Sequence, residues 1–411
     1  MSTPDLPKPN DGPLSGVRVL DIATMIAAPL AASILGDYGA EVVKIELPGR
    51  GDTGRKMGAQ RDGIGLYWRT LGRNKLSVAL DLHQPEAQDL IKRWIGQFDI
   101  LIENFRPGTL DRYNIGVGEL RRLNPKLVVL QMTAFGQTGP YRERHGFGTL
   151  AETMSGVSSV LVKDIRGFSN ERPALTSFPL GDVTAGLVGV NGILAALYRA
   201  QKTGQGEVID LAIYEALLKF MELEIISYDA DHQPVVSAQR KPDSAPRGVY
   251  QCNDGCWIAI SASTQPVAVR FLNLLGGETL VQDPRFLNNE LRVANVDALD
   301  ELVDHWCGAL TAAEATRLLS EAGCAVGPVE TVASLLQNPQ VMARQSIVDV
   351  EDADQGTLHM TNVIPRFGHF PPQKPTPGPV AIGAHTVGVL KRDLQLSQAD
   401  ITALQQRGVI G

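Results

Sequence analysis

The chain of 411 residues is 44% apolar and 20% charged and carries a formal net charge of −7. That length supports two or more domains around a large core, and the mildly acidic balance excludes a nucleic acid or an anionic membrane recruited by bulk field alone. Four cysteines form neither a disulfide framework nor a metal set: Cys252 and Cys256 share a CxxxC spacing with no second pair and no nearby His.

Met1–Asn10 is polar and Pro-rich and lacks the basic-then-apolar pattern of a secretory signal, so a cytoplasmic protein with free thiols is expected. Short β-rich runs follow at Val17–Asp21, Glu41–Ile45, Ser77–Leu82, Asp99–Glu103 and Leu127–Met132. Helical patterns at Pro29–Tyr38, Pro85–Gln97 and Val117–Leu123 alternate with them. This rhythm predicts an α/β fold with a doubly wound, mostly parallel sheet and a ligand at the strand C-termini. The first strand–helix turn, Asp21 to Pro29, contains no G-x-G-x-x-G, so a dinucleotide site is not expected. Val183–Tyr198 reads as a buried helix, and Asp210–Asp229 as a helix leading outward. The longest apolar stretch, Ala185–Ala200, is too short and too interrupted to span a bilayer, so no membrane partner is expected.

Beyond this point the texture changes. Asp231–Pro246 is polar and reads as a linker. Gly248–Cys252, the turn Asn253-Asp254-Gly255 and Cys256–Ser261 read as a hairpin. Helical patterns at Pro266–Leu275, Ala298–Cys307 and Ala312–Ala322 complete a smaller α+β domain ending near Val329. Arg366–Pro379 is a second polar, Pro-rich passage, and a helix-like tail follows His385. The expected organisation is a large α/β domain over residues 1–230, an inserted α+β domain over 231–335, and a return to the large domain over 336–411.

Asp182, in Pro179-Leu180-Gly181-Asp182-Val183-Thr184-Ala185-Gly186, admits two readings. A lone Asp before a helix is ordinarily an N-cap. An ionised carboxylate at a helix N-terminus, flanked by glycines, also suits a nucleophile toward an acyl group. Glu103-Asn104-Phe105-Arg106-Pro107-Gly108 follows a strand and offers an amide, an aromatic face and a guanidinium, with Arg112 one turn on. Gly51-Asp52-Thr53-Gly54-Arg55, Arg73-Asn74-Lys75 and Gly136-Gln137-Thr138-Gly139-Pro140 have the composition of ligand-holding loops, and equally of polar turns. No Ser or Cys occupies a nucleophile elbow.

Taken in order and spacing, these segments resemble the class III CoA-transferase family, which includes formyl-CoA, carnitine-CoA and succinyl-CoA:dicarboxylate CoA-transferases. The resemblance runs from about Leu14 to the C-terminus. It is carried by Gly51-Asp52-x-x-Arg55, Asn74-Lys75, Glu103-Asn104-Phe105-x-Pro107-Gly108, Gly136-Gln137-x-Gly139-Pro140, Gly181-Asp182-x-x-x-Gly186 and Lys202-Thr203-Gly204-x-Gly206. Gly327-Pro328, Asn338-Pro339-Gln340 and Gly383-x-His385-Thr386 also fit.

The resemblance implies an interlocked homodimer and a catalytic aspartate at Asp182, which would carry CoA as an aspartyl thioester. It implies no prosthetic group, coenzyme A and acyl-CoA entering as substrates, with a small carboxylic acid as acceptor. The CoA contacts it implies are Ile26, Ala27, Leu47, Leu80 to His83, Asn104, Phe105, Arg106, Arg112, and His145 to Gly148. Leu47, Ile26 and Gly148 stand where the formyl-CoA enzyme has Arg, Gln and Glu, and its run of four glycines followed by Gln is missing. These departures favour succinyl-CoA and a small dicarboxylate or hydroxy acid, with Arg247 as one candidate for the distal carboxylate. Two alternatives stay open. An α-methylacyl-CoA racemase-like isomerase would need an acid–base residue where Phe147 stands, and Phe cannot exchange a proton. A CoA-binding protein without catalysis would retain the fold but not the use of Asp182.

Overall fold

Strand and helix alternate through the first half of the chain as β1 (Arg18–Asp21), α1 (Ala27–Asp37), β2 (Glu41–Glu46), α2 (Leu66–Leu71), β3 (Lys75–Ala79), α3 (Pro85–Trp94), β4 (Ile100–Glu103), α4 (Val117–Leu123), β5 (Val128–Thr133), α5 (Gly148–Met154), α6 (Leu180–Thr203) and β6 (Val208–Ala212). The computed structural model describes residues 6, 7, 9, 11–161, 173–231, 244–370 and 374–411. Most of Met1–Asn10, residues 232–243 of the expected linker and residues 371–373 of the second Pro-rich passage lie outside them.

The six strands pair in the order β3-β2-β1-β4-β5-β6, every neighbouring pair parallel. The order reverses at β1, which pairs with both β2 and β4, and this opens a crevice beyond the strand C-termini. Successive residues of a strand face opposite sides. Leu20, Val43, Leu101 and Val129 therefore pack with Ile91 and Trp94 of α3 and Leu120 of α4. Val19, Val42, Ile100, Ile102, Val128 and Leu130 pack with Ala28, Ala31 and Leu35 of α1 and Ile193 and Leu197 of α6. Burial on both faces is why these strands read as nearly continuous apolar runs.

Helix α6 begins earlier than the sequence suggests. Its N-cap is Pro179, so Asp182 lies inside the first turn at N3, and it is not the cap. Among the described residues α6 is the one helix long and apolar enough to cross a membrane. Its glycines instead bring it close to its neighbours: a Cβ on Gly186 would stand 3.0 Å from the Ala27 carbonyl oxygen of α1, and one on Gly189 would stand 3.0 Å from Leu130 and Met132 of β5.

The expected outward helix Asp210–Asp229 resolves into three pieces. The chain first adds β6 in register with β5, from Val129↔Val208 to Thr133↔Ala212, and then forms α7 (Ile213–Leu218) and α8 (Glu222–Asp231). Glu207 and Asp210 interrupt the apolar pattern of a strand that lies at a sheet edge, where one side needs no partner.

The chain divides into two compact units, Met1–Pro234 with Gln345–Gly411 and, between them in sequence, Val235–Arg344. The second unit contains β7 (Arg247–Gln251) and β8 (Trp257–Ser261), α9 (Gln265–Val281), α10 (Val296–Gly308), α11 (Ala312–Glu321) and β9 (Ala325–Pro328). Its sheet is antiparallel in the order β9-β8-β7. Tyr250, Ile258, Ile260, Phe271, Val303 and Leu319 form its core. Gly255, at φ +78°, makes the hairpin turn that Asp254-Gly255 signals. Two short helices, Val332–Leu335 capped by Thr331 and Pro339–Ala343 capped by Asn338, carry this unit past 335, where the sequence placed the return.

After the return, β10 (Ile347–Asp352) and β11 (Gly356–Thr361) form an antiparallel hairpin, and α12 (Thr386–Leu394) and α13 (Gln398–Gln406) cover one face of the large sheet through Val389, Leu390 and Ile401. The segment before α12 seals the free edge of β3. His385 Nδ1 accepts the Ser77 N–H at 2.9 Å, Thr386 Oγ1 accepts the Ala79 N–H at 2.9 Å, and the Gly383 N–H donates to Ser77 Oγ at 2.8 Å. Gly383-x-His385-Thr386 is therefore an edge clasp.

Candidate active site

The loop from Ile22 to Ile26, at the reversal of strand order, rests on buried charge. Lys44 of β2 and Lys75 of β3 lie under it with Asp21 and Asp52, two cations with two anions. Lys44 Nζ is 2.9 Å from Asp52 Oδ2 and 3.6 Å from Asp21 Oδ1; Lys75 Nζ is 2.9 Å from Asp21 Oδ2. Burial pulls the Lys44 ammonium down, but Asp21 and Asp52 outweigh it and leave its pKa pushed up to about 12. The same groups hold the loop backbone. Asp21 Oδ1 accepts the Ala23 N–H at 3.1 Å, Lys44 Nζ donates to the Ala23 carbonyl, and Asp52 Oδ1 accepts the Met25 N–H at 3.1 Å. Met25 sits at φ +72°, a conformation a non-glycine residue keeps only when its surroundings fix it.

Two segments with ligand-loop composition are thus struts. Asp52 and Lys75 belong to this network. Arg55 forks onto Glu46 at 2.6 and 2.7 Å and donates to the Pro379 and Val380 carbonyls at 2.9 and 2.8 Å. Asn74 donates to Asp37 Oδ1 at 2.7 Å and accepts the Thr376 N–H at 2.8 Å.

Asn104 is committed in the same way. Its side-chain oxygen accepts the Thr24 N–H at 2.8 Å and its amide donates to the Thr24 carbonyl at 2.7 Å, locking the loops after β1 and β4 together across the crevice. Its side chain is thus a brace for the loop. Just before it, Glu103 is 2% exposed and accepts from Gln131 and from the Phe105 N–H, each at 2.7 Å. Burial pushes its carboxyl up to about 7.

Other expected CoA contacts fall into groups. Arg106 hydrogen-bonds His145 Nε2, joining the loop after β4 to the segment before α5. Tyr113 meets both Phe105 and His83 edge-on, at 6.3 and 5.0 Å between ring centroids, while His83 Nδ1 lies 2.7 Å from Asp81. Arg112 donates to Thr109 Oγ1 at 2.8 Å. Ile26 and Ala27 begin α1 and are buried, so they offer backbone and little side-chain surface. Leu80 does not join these groups: its side chain is 1% exposed in the core, and it bridges to Ile410.

Asp182 and Gly148 come together. A Cβ on Gly148 would stand 2.4 Å from Asp182 Oδ2, so the carboxylate lies against the bare Cα of Gly148. Asp182 and Gly186 share a face of α6 one turn apart, and Gly186 touches Ala27, which sets Asp182 beside the start of α1. The cap of α6 comes from elsewhere. Glu152, four residues after Gly148 on α5 and 4% exposed, accepts the Gly181 N–H on Oε1 at 3.1 Å and the Thr176 hydroxyl on Oε2 at 2.9 Å. Burial, and then the Glu152 charge, push the Asp182 carboxyl up to about 6. The helix N-terminus therefore does not hold this carboxyl low, contrary to the sequence expectation. Tyr67 of α2 is also near, its phenol raised by burial and then by Asp182. Phe147, adjacent to Gly148, is 67% exposed.

Glu152, Tyr67 and Tyr113 escaped the sequence reading, and Glu103 was marked there only as the head of a loop motif. Glu152 had one usable signal, its helical i,i+4 spacing from Gly148; Tyr67 reaches Asp182 only through the tertiary fold.

The fold that carries this site is similar to that of a solved CaiB/BaiF-family protein from Brucella suis. That structure aligns with a TM-score of 0.81 at 28% identity, covering 93% of this chain and 100% of its own. The family model for CoA-transferase family III matches residues 14–386, and this chain belongs to that family. It is 38% identical over 400 residues to a succinyl-CoA–D-citramalate CoA-transferase of Chloroflexus aurantiacus, covering 97% of this chain and 98% of the relative. It is 35% identical to the β subunit of a succinyl-CoA–L-malate CoA-transferase of the same organism, with 97% and 98% covered. The chain is a CoA-transferase.

Proposed function

We propose that this enzyme moves CoA from succinyl-CoA to a small dicarboxylic or hydroxy-dicarboxylic acid through a thioester on Asp182. The observation that carries the reading is the Asp182 carboxylate itself: half-buried, set against Gly148 and beside the start of α1, its proton affinity raised by burial and a neighbouring carboxylate. The names of the citramalate and malate enzymes support the substrate class.

In the proposed sequence an Asp182 oxygen attacks the thioester carbonyl, the C–S bond breaks, and CoA leaves as thiolate. The thiolate attacks the aspartyl carbonyl of the resulting anhydride, the donor acid leaves as carboxylate, and Asp182 carries CoA. The acceptor carboxylate then attacks this thioester and expels the thiolate, which takes the acceptor acyl group and restores Asp182. No proton is gained or lost over the cycle. The transient oxyanions call for backbone donors fixed beforehand; the N–H groups of Ala23, Thr24 and Met25 are already given to Asp21, Asn104 and Asp52, so their part is to hold the shape of the loop. The isomerase alternative gains no support, because Phe147 has no exchangeable proton.

The active form in this reading is a cytoplasmic homodimer. Phe147 just before α5, Leu150 and Met154 of α5, Leu187 and Tyr198 of α6 and Ile226 of α8 are exposed large apolar side chains. A second copy covers such a surface; a monomeric mass by light scattering at micromolar concentration would refute this. The substrate assignment is tested by offering a panel of acyl-CoAs and free acids and reading the CoA esters by mass. Succinyl-CoA with citramalate or malate is expected to give the largest product signal. Turnover confined to monocarboxylic acids would refute it.

A further inference from the structure

We propose that Glu152 is the positioning residue of the nucleophile: it holds the first turn of α6 from the facing helix and places a second negative charge behind Asp182. This rests on Asp182 acting as proposed above.

Three observations on the described residues carry it. Glu152 is 4% exposed, yet its two oxygens take only the Gly181 N–H and the Thr176 hydroxyl, and no cation pairs with it among the ion pairs described. A buried carboxylate in this state is costly and needs a compensating use. Gly148 and Glu152 lie one turn apart on α5, so a single helix face presents a bare Cα under the Asp182 carboxylate and an acceptor for the N–H immediately before it. A Cβ on Gly181 would stand 3.2 Å from the Gly148 carbonyl oxygen and 3.4 Å from Glu152 Cγ, so the two helices meet here backbone to backbone, and the acidic pair is fixed by that contact.

An Asp at N3 of a helix ordinarily turns toward the free N–H groups of the first turn, which stabilise its charge and weaken it as a nucleophile. Here Glu152 already occupies the Gly181 N–H. Asp182 is left without that bond and faces a like charge, and both effects favour attack on an acyl carbon. Among the described residues, the titratable groups that interact with Asp182 are Glu152 from α5 and Tyr67 from α2. α1 opens with Ala27, Ala28, Pro29 and Leu30, and on α7 Glu215 accepts the Tyr214 hydroxyl at 3.4 Å.

The test is the Glu152→Gln variant, which keeps an oxygen for the Gly181 N–H and removes the charge. The rate of CoA-adduct formation on the Asp182 peptide is followed against pH with succinyl-CoA. The acid limb is expected to move down by about one pH unit relative to wild type; an unchanged limb with the adduct still forming overturns the proposal. A purely structural cap would change melting temperature and leave the limb in place. Carbon-13 titration of the Asp182 carboxyl separates the Glu152 charge from burial, the larger cause of the raised value. A midpoint near 6 in the wild type that falls in Glu152→Gln supports the proposal; the same midpoint in both overturns it, and so does an ordinary Asp midpoint near 4 in the wild type, which needs no folded variant. A wild type that turns over substrate without forming an adduct at any pH overturns the Asp182 reading itself, and this inference with it.

Discussion

The Glu152 carboxylate accepts the Gly181 N–H at 3.1 Å, and the Asp182 carboxylate, one residue on, lies against the Cα of Gly148. The cap and the candidate nucleophile at the start of one helix are thus two different acids from two different helices. Burial, and then the charge of Glu152, raise the Asp182 carboxyl from the ordinary 3.8 to about 6. At neutral pH it is largely ionised and more basic than a solvated Asp.

A stability prediction follows from that shift. A carboxyl held higher in the folded chain than in the unfolded one binds more protons when folded, so its contribution is full below about 4 and is lost as pH rises through about 6. Asp182→Asn is therefore expected to raise stability by about 1–2 kcal/mol at pH 7.5, discounted for the partial exposure of the site. The gain should vanish near pH 4. Urea unfolding at the two pH values measures it; an equal gain at both would mean that the charge is not the cause.

Gly148 has a geometric role to test. A methyl there would stand 2.4 Å from Asp182 Oδ2, and the carboxylate must move. Gly148→Ala is expected to lower kcat about 100-fold while leaving CoA binding within about threefold, because misplacing a reacting group by an ångström costs on that order. Calorimetric CoA titration beside steady-state kinetics separates the two effects, and an unchanged kcat would show that Asp182 has room to spare.

The ion network under the Ile22–Ile26 loop is expected to act through stability. Lys44→Met leaves Asp21 and Asp52 buried with one cation fewer, which costs about 3–5 kcal/mol. Thermal unfolding reads the loss. If instead the variant kept its stability and lost only CoA affinity, Lys44 would be a ligand group and not a strut.

Asn104 is the brace across the crevice. Asn104→Leu removes both bonds to the Thr24 backbone, and the cost is expected at about 1–3 kcal/mol, with KM for the acyl-CoA rising more than kcat falls. Kinetics on a single acyl-CoA show the split. A fall in kcat with KM unchanged would place Asn104 in the chemistry itself.

The parallel sheet was legible because strands buried on both faces must be apolar almost without interruption, as in Ile100–Glu103 and Val128–Thr133. The sixth strand, Val208–Ala212, was not: an edge strand tolerates Asp210, and the polar residue hid the pattern. At the site the sequence marked Asp182 and Gly148, with Asp182 as nucleophile and also as a possible cap, and the structure places it inside the first turn at N3. The true cap, Glu152, is thirty positions upstream, and no local rule joins a helix start to an acid on another helix. For Gly51-Asp52-x-x-Arg55 and Asn74-Lys75 the sequence left ligand loop and polar turn open, and the structure makes them struts. Glycines and charges after a strand suit a ligand loop, and the same residues suit a buried network that shapes one.

The central claim is that Asp182 carries CoA. The direct measurement is to mix the chain with succinyl-CoA alone, quench in acid, digest and weigh the peptide containing Asp182. A CoA adduct is expected on that peptide, discharged by an acceptor dicarboxylate and absent from Asp182→Ala, which also loses turnover. Sustained CoA transfer by Asp182→Ala, with that peptide unmodified in a wild type that is turning over, would contradict it.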